Sequence, residues 1–188
     1  MRTFIAIEIS EEIRNTLAQI QSHLKYAGAD VKWVAKDNIH LTLKFLGEVS
    51  EDKIEKIKSI LNAIGSETKP FEITVKEIGA FPKIDYPRVI WVGLDKGADE
   101  SKELAKRIDE ELSKIGFQKE TRPFAAHLTL GRVRSPKNRA ALVEKLLSVN
   151  LSPITYHLQP ITSIILFQST LTPQGSIYSK LHEAEFRV

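Results

Sequence analysis

Apolar and polar residues alternate over 3–9 (TFIAIEI), which predicts a strand. Ser10 then offers an N-cap, and Glu11 and Glu12 suit the positive end of a helix dipole. Ile13, Leu17, Ile20 and Leu24 recur at helical spacing, and Gly28 can close that helix. VKWV (31–34) is a short extended piece, and NIHLTLKFLG opens a strand that runs from His40 to about Glu48. Ser50 caps a second helix with an apolar stripe of Ile54, Ile57, Leu61 and Ile64, ended by Gly65. FEITVKEIGAF (71–81) alternates as a strand.

The order then recurs. RVIWVGL (88–94) reads as a strand, and a helix from Asp99 or Ser101 carries Leu104, Ile108, Leu112 and Ile115 up to Gly116. A strand from His127 follows, then a helix started by Ser135-Pro136 with Leu142, Leu146 and Val149 on its apolar side. ITYHL (154–158) is a further strand. The tail, 160–187, reads as a long hairpin turning at Pro173-Gln174-Gly175. The chain is therefore expected to form one bilobal domain over 1–188, with an internal repeat of approximately 1–81 and 88–158. The Pro-containing stretch from Phe81 to Pro87 is the expected seam.

Strands alternating with helices ordinarily suggest a parallel sheet. Here the strands themselves alternate apolar and polar positions, which suits sheets with one covered and one open face, usually antiparallel. The expected class is α+β: two similar lobes related by pseudo-twofold symmetry, each an antiparallel sheet with helices on its outer face, and a cleft between them.

Composition narrows the chemistry. The 188 residues are 42% hydrophobic, enough for a substantial core, and the net charge of +3 permits an anionic partner without requiring one. The absence of Cys excludes disulfides, thiolate nucleophiles and cysteine metal sites. A single Met beside abundant Lys, Glu and Ile suits a thermophile. The N-terminus lacks the features of a signal peptide, and no stretch approaches the roughly 20 apolar residues of a membrane span. A cytoplasmic monomer is the expectation.

The tetrapeptide His-Leu-Thr-Leu occurs at 40–43 and again about 87 residues later at 127–130. On a strand, the leucines turn to the helices while His40, Thr42, His127 and Thr129 project from the open face. One such strand is ordinarily a polar surface. Duplication copies residues regardless of use, yet exposed positions drift, and here both copies keep the same two polar types. Zinc needs three or four ligands, and no carboxylate or third His lies near either motif. A serine hydrolase needs a nucleophile elbow, and no G-x-S-x-G is present. Displacement at phosphorus fits better. One neutral and one protonated imidazole supply base and acid near neutral pH, and hydroxyls with a cation stabilise the added charge on the equatorial oxygens.

At these residues the chain resembles the two-histidine (2H) phosphoesterase superfamily. The flanks NIHLTLKFLGEV and RPFAAHLTLGRV, with RTFIAIEI, PRVIWVGL and STLTPQGSIY, are similar to RNA 2',3'-cyclic phosphodiesterases, also called 2'-5' RNA ligases. The resemblance implies two antiparallel sheets around a cleft and hydrolysis of RNA 2',3'-cyclic phosphate to 2'-phosphate. It implies no metal or nucleotide cofactor, and ATP-independent joining of such ends to 5'-hydroxyls through a 2'-5' linkage. By the same resemblance His40 is the proton donor and His127 the acceptor. Many relatives carry Pro before the second His, where this chain has Ala126. A non-catalytic RNA-end binder, or an enzyme for a different small cyclic phosphate, are the alternatives.

Five further residues are candidates for substrate contact. Strict alternation puts Arg132 on the Leu face, but Gly131 can mark a bulge that turns it towards phosphate. Lys44 falls on the His40 face, either at phosphate or in solvent. Phe45 and Phe124 can stack a base, although alternation places Phe45 in the core. Tyr178 is a cleft candidate. Trp33 and Trp91 read as core or cleft wall, and His23, His157 and His182 as surface.

Overall fold

The computed structural model describes residues 1–151 and 157–187. The chain runs β1 (Arg2–Glu8), α1 (Glu11–Lys25), β2 (Val31–Trp33), a 3-10 turn (Lys36–Asn38), β3 (His40–Glu48), α2 (Glu51–Glu67), β4 (Phe71–Ile73) and β5 (Val75–Lys83). It continues through β6 (Tyr86–Leu94), α3 (Ala98–Ser113), β7 (His127–Val133), α4 (Arg139–Leu151), β8 (Gln159–Ile161), β9 (Ser163–Thr172) and β10 (Gly175–Glu185).

Every strand pair described is antiparallel. Among the described residues, one half-sheet has the order β10-β9-β1-β3 and the other β7-β6-β5, with β2 added to the edge of β7. The halves meet at one pair, Leu41 opposite Leu128. β4 and β8 form a separate two-stranded ladder. The helices lie over one face of the joined sheet. Their stripes, including Leu17, Ile57, Ile108 and Leu142, share one core with Ile5, Ile7, Leu41 and Leu128.

The repeats exchange strands. β5, from the first repeat, pairs with β6 of the second, while β9 and β10 from the C-terminus extend the sheet of β1 and β3. The stretch expected as a seam is thus the turn of the β5–β6 hairpin, where Lys83 pairs with Tyr86. Local expectations shift in four places. Thr74 splits the strand expected over 71–81 into β4 and β5. α2 runs past Gly65, which is small because β10 crosses there: a Cβ would lie 2.5 Å from the Glu185 carbonyl oxygen. α3 begins at Ala98, behind Gly97. α4 begins at Arg139 instead of after Ser135-Pro136, because Asn138 adopts a positive φ of 52° and its amide donates to the Gly28 carbonyl. The strand expected over 154–158 falls mainly outside the described residues. No helix among the described residues is long and apolar enough to cross a membrane.

Candidate active site

The Leu41–Leu128 pair sets the register of the two motifs. Continued one residue either way, it puts His40 across from Thr129 and Thr42 across from His127, all four on the face opposite the helices. Both leucines are fully buried, whereas both histidines and both threonines are partly accessible.

The two imidazoles are held alike. His40 Nδ1 lies 2.8 Å from the Asn38 carbonyl oxygen, and His127 Nδ1 lies 2.6 Å from that of Ala125. A carbonyl only accepts, so each ring donates its Nδ1–H, and Nε2 is left as the atom that exchanges a proton. Rings pack around each imidazole. His40 stacks on Phe4 at 4.7 Å between centroids and takes the edge of Tyr178 at 5.4 Å. His127 stands edge-on to Phe81 at 5.1 Å and to Trp91 at 6.3 Å. Trp91 lies across Gly79, where a Cβ would come within 2.3 Å of the indole.

Burial among these rings lowers the pKa of His40 to about 4, against the Asn38 hydrogen bond, and the charge of Arg14 adds to the lowering. His127 is lowered for the same first reason, and the charge of Arg132 contributes. Both rings are therefore neutral in the free protein at neutral pH. Beside His40, a pocket of about 280 Å³ extends between Tyr178, Phe167, Arg14 and Lys180. In it Glu8 meets Lys180 at 2.7 Å and Arg14 at 3.6 Å.

Beyond the shared tetrapeptide both strands carry the same irregularity. On β3, Ala6 pairs with Thr42 but Ile5 pairs with Lys44, so Leu43 is an extra residue. On β7, Trp91 pairs with Thr129 but Ile90 pairs with Gly131, so Leu130 is extra. Each bulge reverses the facing of the residues C-terminal to it. Arg132 consequently reaches the histidine face, exposed, as the Gly131 reading anticipated. The bulge of β7 is tied down from α1: the Gln21 side-chain amide donates to Leu130 O and Val34 O, each at 2.8 Å.

The same reversal corrects two expectations in the first motif. Lys44 does not face the cleft. It is 3% exposed on the helix side, with Nζ at 2.5 Å from Asp109 and 2.9 Å from the Gln118 carbonyl. Phe45 is not core. It is 62% exposed on the histidine face, with its ring 6.1 Å from that of Phe4. Phe124 packs against the helix-side core instead of the cleft, and so does Trp33. Tyr178 lies in the cleft, where Phe4, Phe167, Ala6 and Ile165 form a small separate core. His23 is exposed, and His182 pairs with Asn62 on α2.

Lys32 stands directly across from Arg132, and alternation between Val31 and Trp33 turns it to the cleft face. The sequence pattern does not single it out, because the pairing of β2 with β7 joins segments about 100 residues apart. Phe4, Phe81 and Phe167 are likewise placed around the site only by the fold.

Comparison with known proteins agrees with this duplicated geometry. The family model for LigT-like phosphoesterases matches the chain twice, over residues 7–91 and 92–178. An RNA 2',3'-cyclic phosphodiesterase of Methanocaldococcus jannaschii is 42% identical over 186 residues, covering 97% of this chain and 99% of its own. One from Methanothermobacter thermautotrophicus is 37% identical, covering 96% of each chain. The crystal structure of E. coli LigT with 3'-AMP superposes with a TM-score of 0.79 at 26% identity, over 98% of this chain and 97% of that one. The TT0787 protein of Thermus thermophilus shares the fold at a TM-score of 0.81 and 24% identity, covering 100% and 98%. With two matched repeats and relatives this similar end to end, the chain belongs to the LigT-like phosphoesterase family.

Proposed function

We propose that the protein hydrolyses RNA 2',3'-cyclic phosphate ends to 2'-phosphates by acid–base catalysis from His40 and His127. The observation that carries this reading is the pair of imidazoles with matching Nδ1–carbonyl bonds, which leaves two Nε2 atoms on one face beside two threonines. His127 Nε2 takes a proton as water attacks phosphorus. The P–O3' bond breaks, and the 3' oxygen receives a proton from His40. One proton is taken and one given, so the pair ends in exchanged states and resets through solvent. Among the described residues neither Thr42 nor Thr129 makes a side-chain hydrogen bond, so both hydroxyls are free to donate to the equatorial oxygens. Arg132 adds a positive charge on the same face.

Burial keeps His40 neutral in the free protein, whereas the donor must be protonated. The incoming phosphate anion is the group that favours the imidazolium. Phe45, exposed on this face, offers a ring for the terminal base. With a 5'-hydroxyl in place of water, the same steps form a 2'-5' linkage. We place the protein in the cytoplasm, acting as a monomer on RNA ends.

Incubation of an RNA ending in 2',3'-cyclic phosphate, in excess EDTA, tests the reading. The expected product is the 2'-phosphate, and His40→Ala or His127→Ala each lowers kcat by about 10²–10⁴. Undiminished turnover in either variant refutes the assignment.

A further inference from the structure

We infer that Lys32 binds the internucleotide phosphate on the 5' side of the terminal ribose, making this site selective for oligonucleotide ends over mononucleotide cyclic phosphates. The inference rests on the catalytic reading of the cleft given above.

Lys32 and Arg132 are direct cross-strand partners on β2 and β7, both exposed on the histidine face. Side chains so placed have Cβ atoms about 4.5–5.5 Å apart, and like charges there repel. Among the described residues no carboxylate lies within ion-pairing distance of either. Beside His40, by contrast, the cations Arg14 and Lys180 are both held by Glu8. A repelling pair in a substrate cleft, without an internal counter-charge, is matched by anion from outside.

The count of charges identifies that anion. A 2',3'-cyclic diester carries one negative charge, which Arg132 alone balances. A second diester phosphate, one link along the RNA, supplies the other. Position agrees with this. Lys32 lies on the edge of β7 opposite β6, where β3 has already diverged after Leu41–Leu128, so it stands beyond the His–Thr cluster. The first lobe has no counterpart: the position equivalent to Arg132 is Phe45, whose row continues through Phe4 to Phe167. At this one position the first lobe is aromatic and the second cationic, which places a terminal base at Phe45 and the phosphates towards Arg132 and Lys32.

The test compares adenosine 2',3'-cyclic phosphate with the dinucleotide ApA ending in the same group. Lys32→Met is expected to lower the dinucleotide-to-mononucleotide ratio of kcat/KM about tenfold, the worth of one charge-assisted hydrogen bond, and Lys32→Arg to restore it. The salt dependence of the dinucleotide reaction should weaken by about 0.7 in log–log slope, one phosphate contact on a single strand. Calorimetric binding of the two 2'-phosphate products gives the same ratio without turnover. If the wild-type protein hydrolyses neither substrate, the catalytic reading fails and the binding ratio still decides for or against Lys32. A ratio within threefold of wild type, whether both substrates weaken together or neither does, overturns the inference.

Discussion

Replacing Asp109 by Ala removes the carboxylate that neutralises Lys44 and leaves its ammonium in a pocket where the lysine side chain is 2% exposed. Breaking a buried pair from one side costs about 3–5 kcal/mol, because the remaining charge has neither water nor partner. Two groups soften the loss here: the Gln118 carbonyl at 2.9 Å and Glu120 at 3.9 Å. The low end, about 3 kcal/mol, is therefore expected, or a fall in Tm of roughly 6–12 °C for a chain of this size. Lys44→Met should cost less, about 1–2 kcal/mol, since Asp109 is more accessible and keeps the backbone N–H of Glu120 at 3.1 Å. A Lys44→Met, Asp109→Leu double variant should return close to wild type, as apolar replacements of buried pairs often do. Denaturant melts of the four proteins measure the series, with kcat/KM followed alongside. Because Lys44 faces the helices, turnover should stay within twofold throughout. A cost below 1 kcal/mol for Asp109→Ala, or loss of turnover in Lys44→Met, refutes the placement of Lys44 in the core.

Gln21→Leu should cost about 1–3 kcal/mol by unmaking the hydrogen bonds to the Val34 and Leu130 carbonyls, and should lower kcat/KM by loosening, through the lost Leu130 bond, the bulge that aims Arg132; unchanged kinetics in a folded variant would count against that tie. Proton NMR should find His40 titrating near 4 and His127 below 6.5, with kcat/KM, which reports the free enzyme, peaking on the acid side of 6.5. A His40 transition at or above 6.5 contradicts its burial among the rings. Since its folded pKa is depressed, the unfolded chain binds more protons between about 4 and 6.5. The stability this group contributes is thus whole above 6.5 and is lost as pH falls towards 4, on the order of 3 kcal/mol.

Much of this architecture was readable in the residues. The helix stripes and the alternation of β1, β3, β6 and β7 predicted the elements, and the paired His-Leu-Thr-Leu placed the leucines inward and the polar pair outward. Alternation misplaced Lys44 and Phe45 because it assumes an unbroken pleat. Gly131 signals a bulge in the second motif, whereas Lys44, at the same position in the first, gives no local sign. The duplication supplies what is missing: two copies of one pattern bulge together, so a shift that turns Arg132 outward also turns Phe45 outward and Lys44 inward. Lys32 and Gln21 owe their roles to contacts across about 100 residues, which no local periodicity encodes.

The strand exchange bears on how such a chain arises. A half-length protein ending after β5 would leave that strand without β6 and leave β1 with a bare edge. Two identical copies trading their last strands would satisfy both needs at once and build one catalytic centre on a twofold axis. Joining the copies end to end frees each half to specialise, and an aromatic ring in one half at the position where the other carries a guanidinium is what that freedom yields.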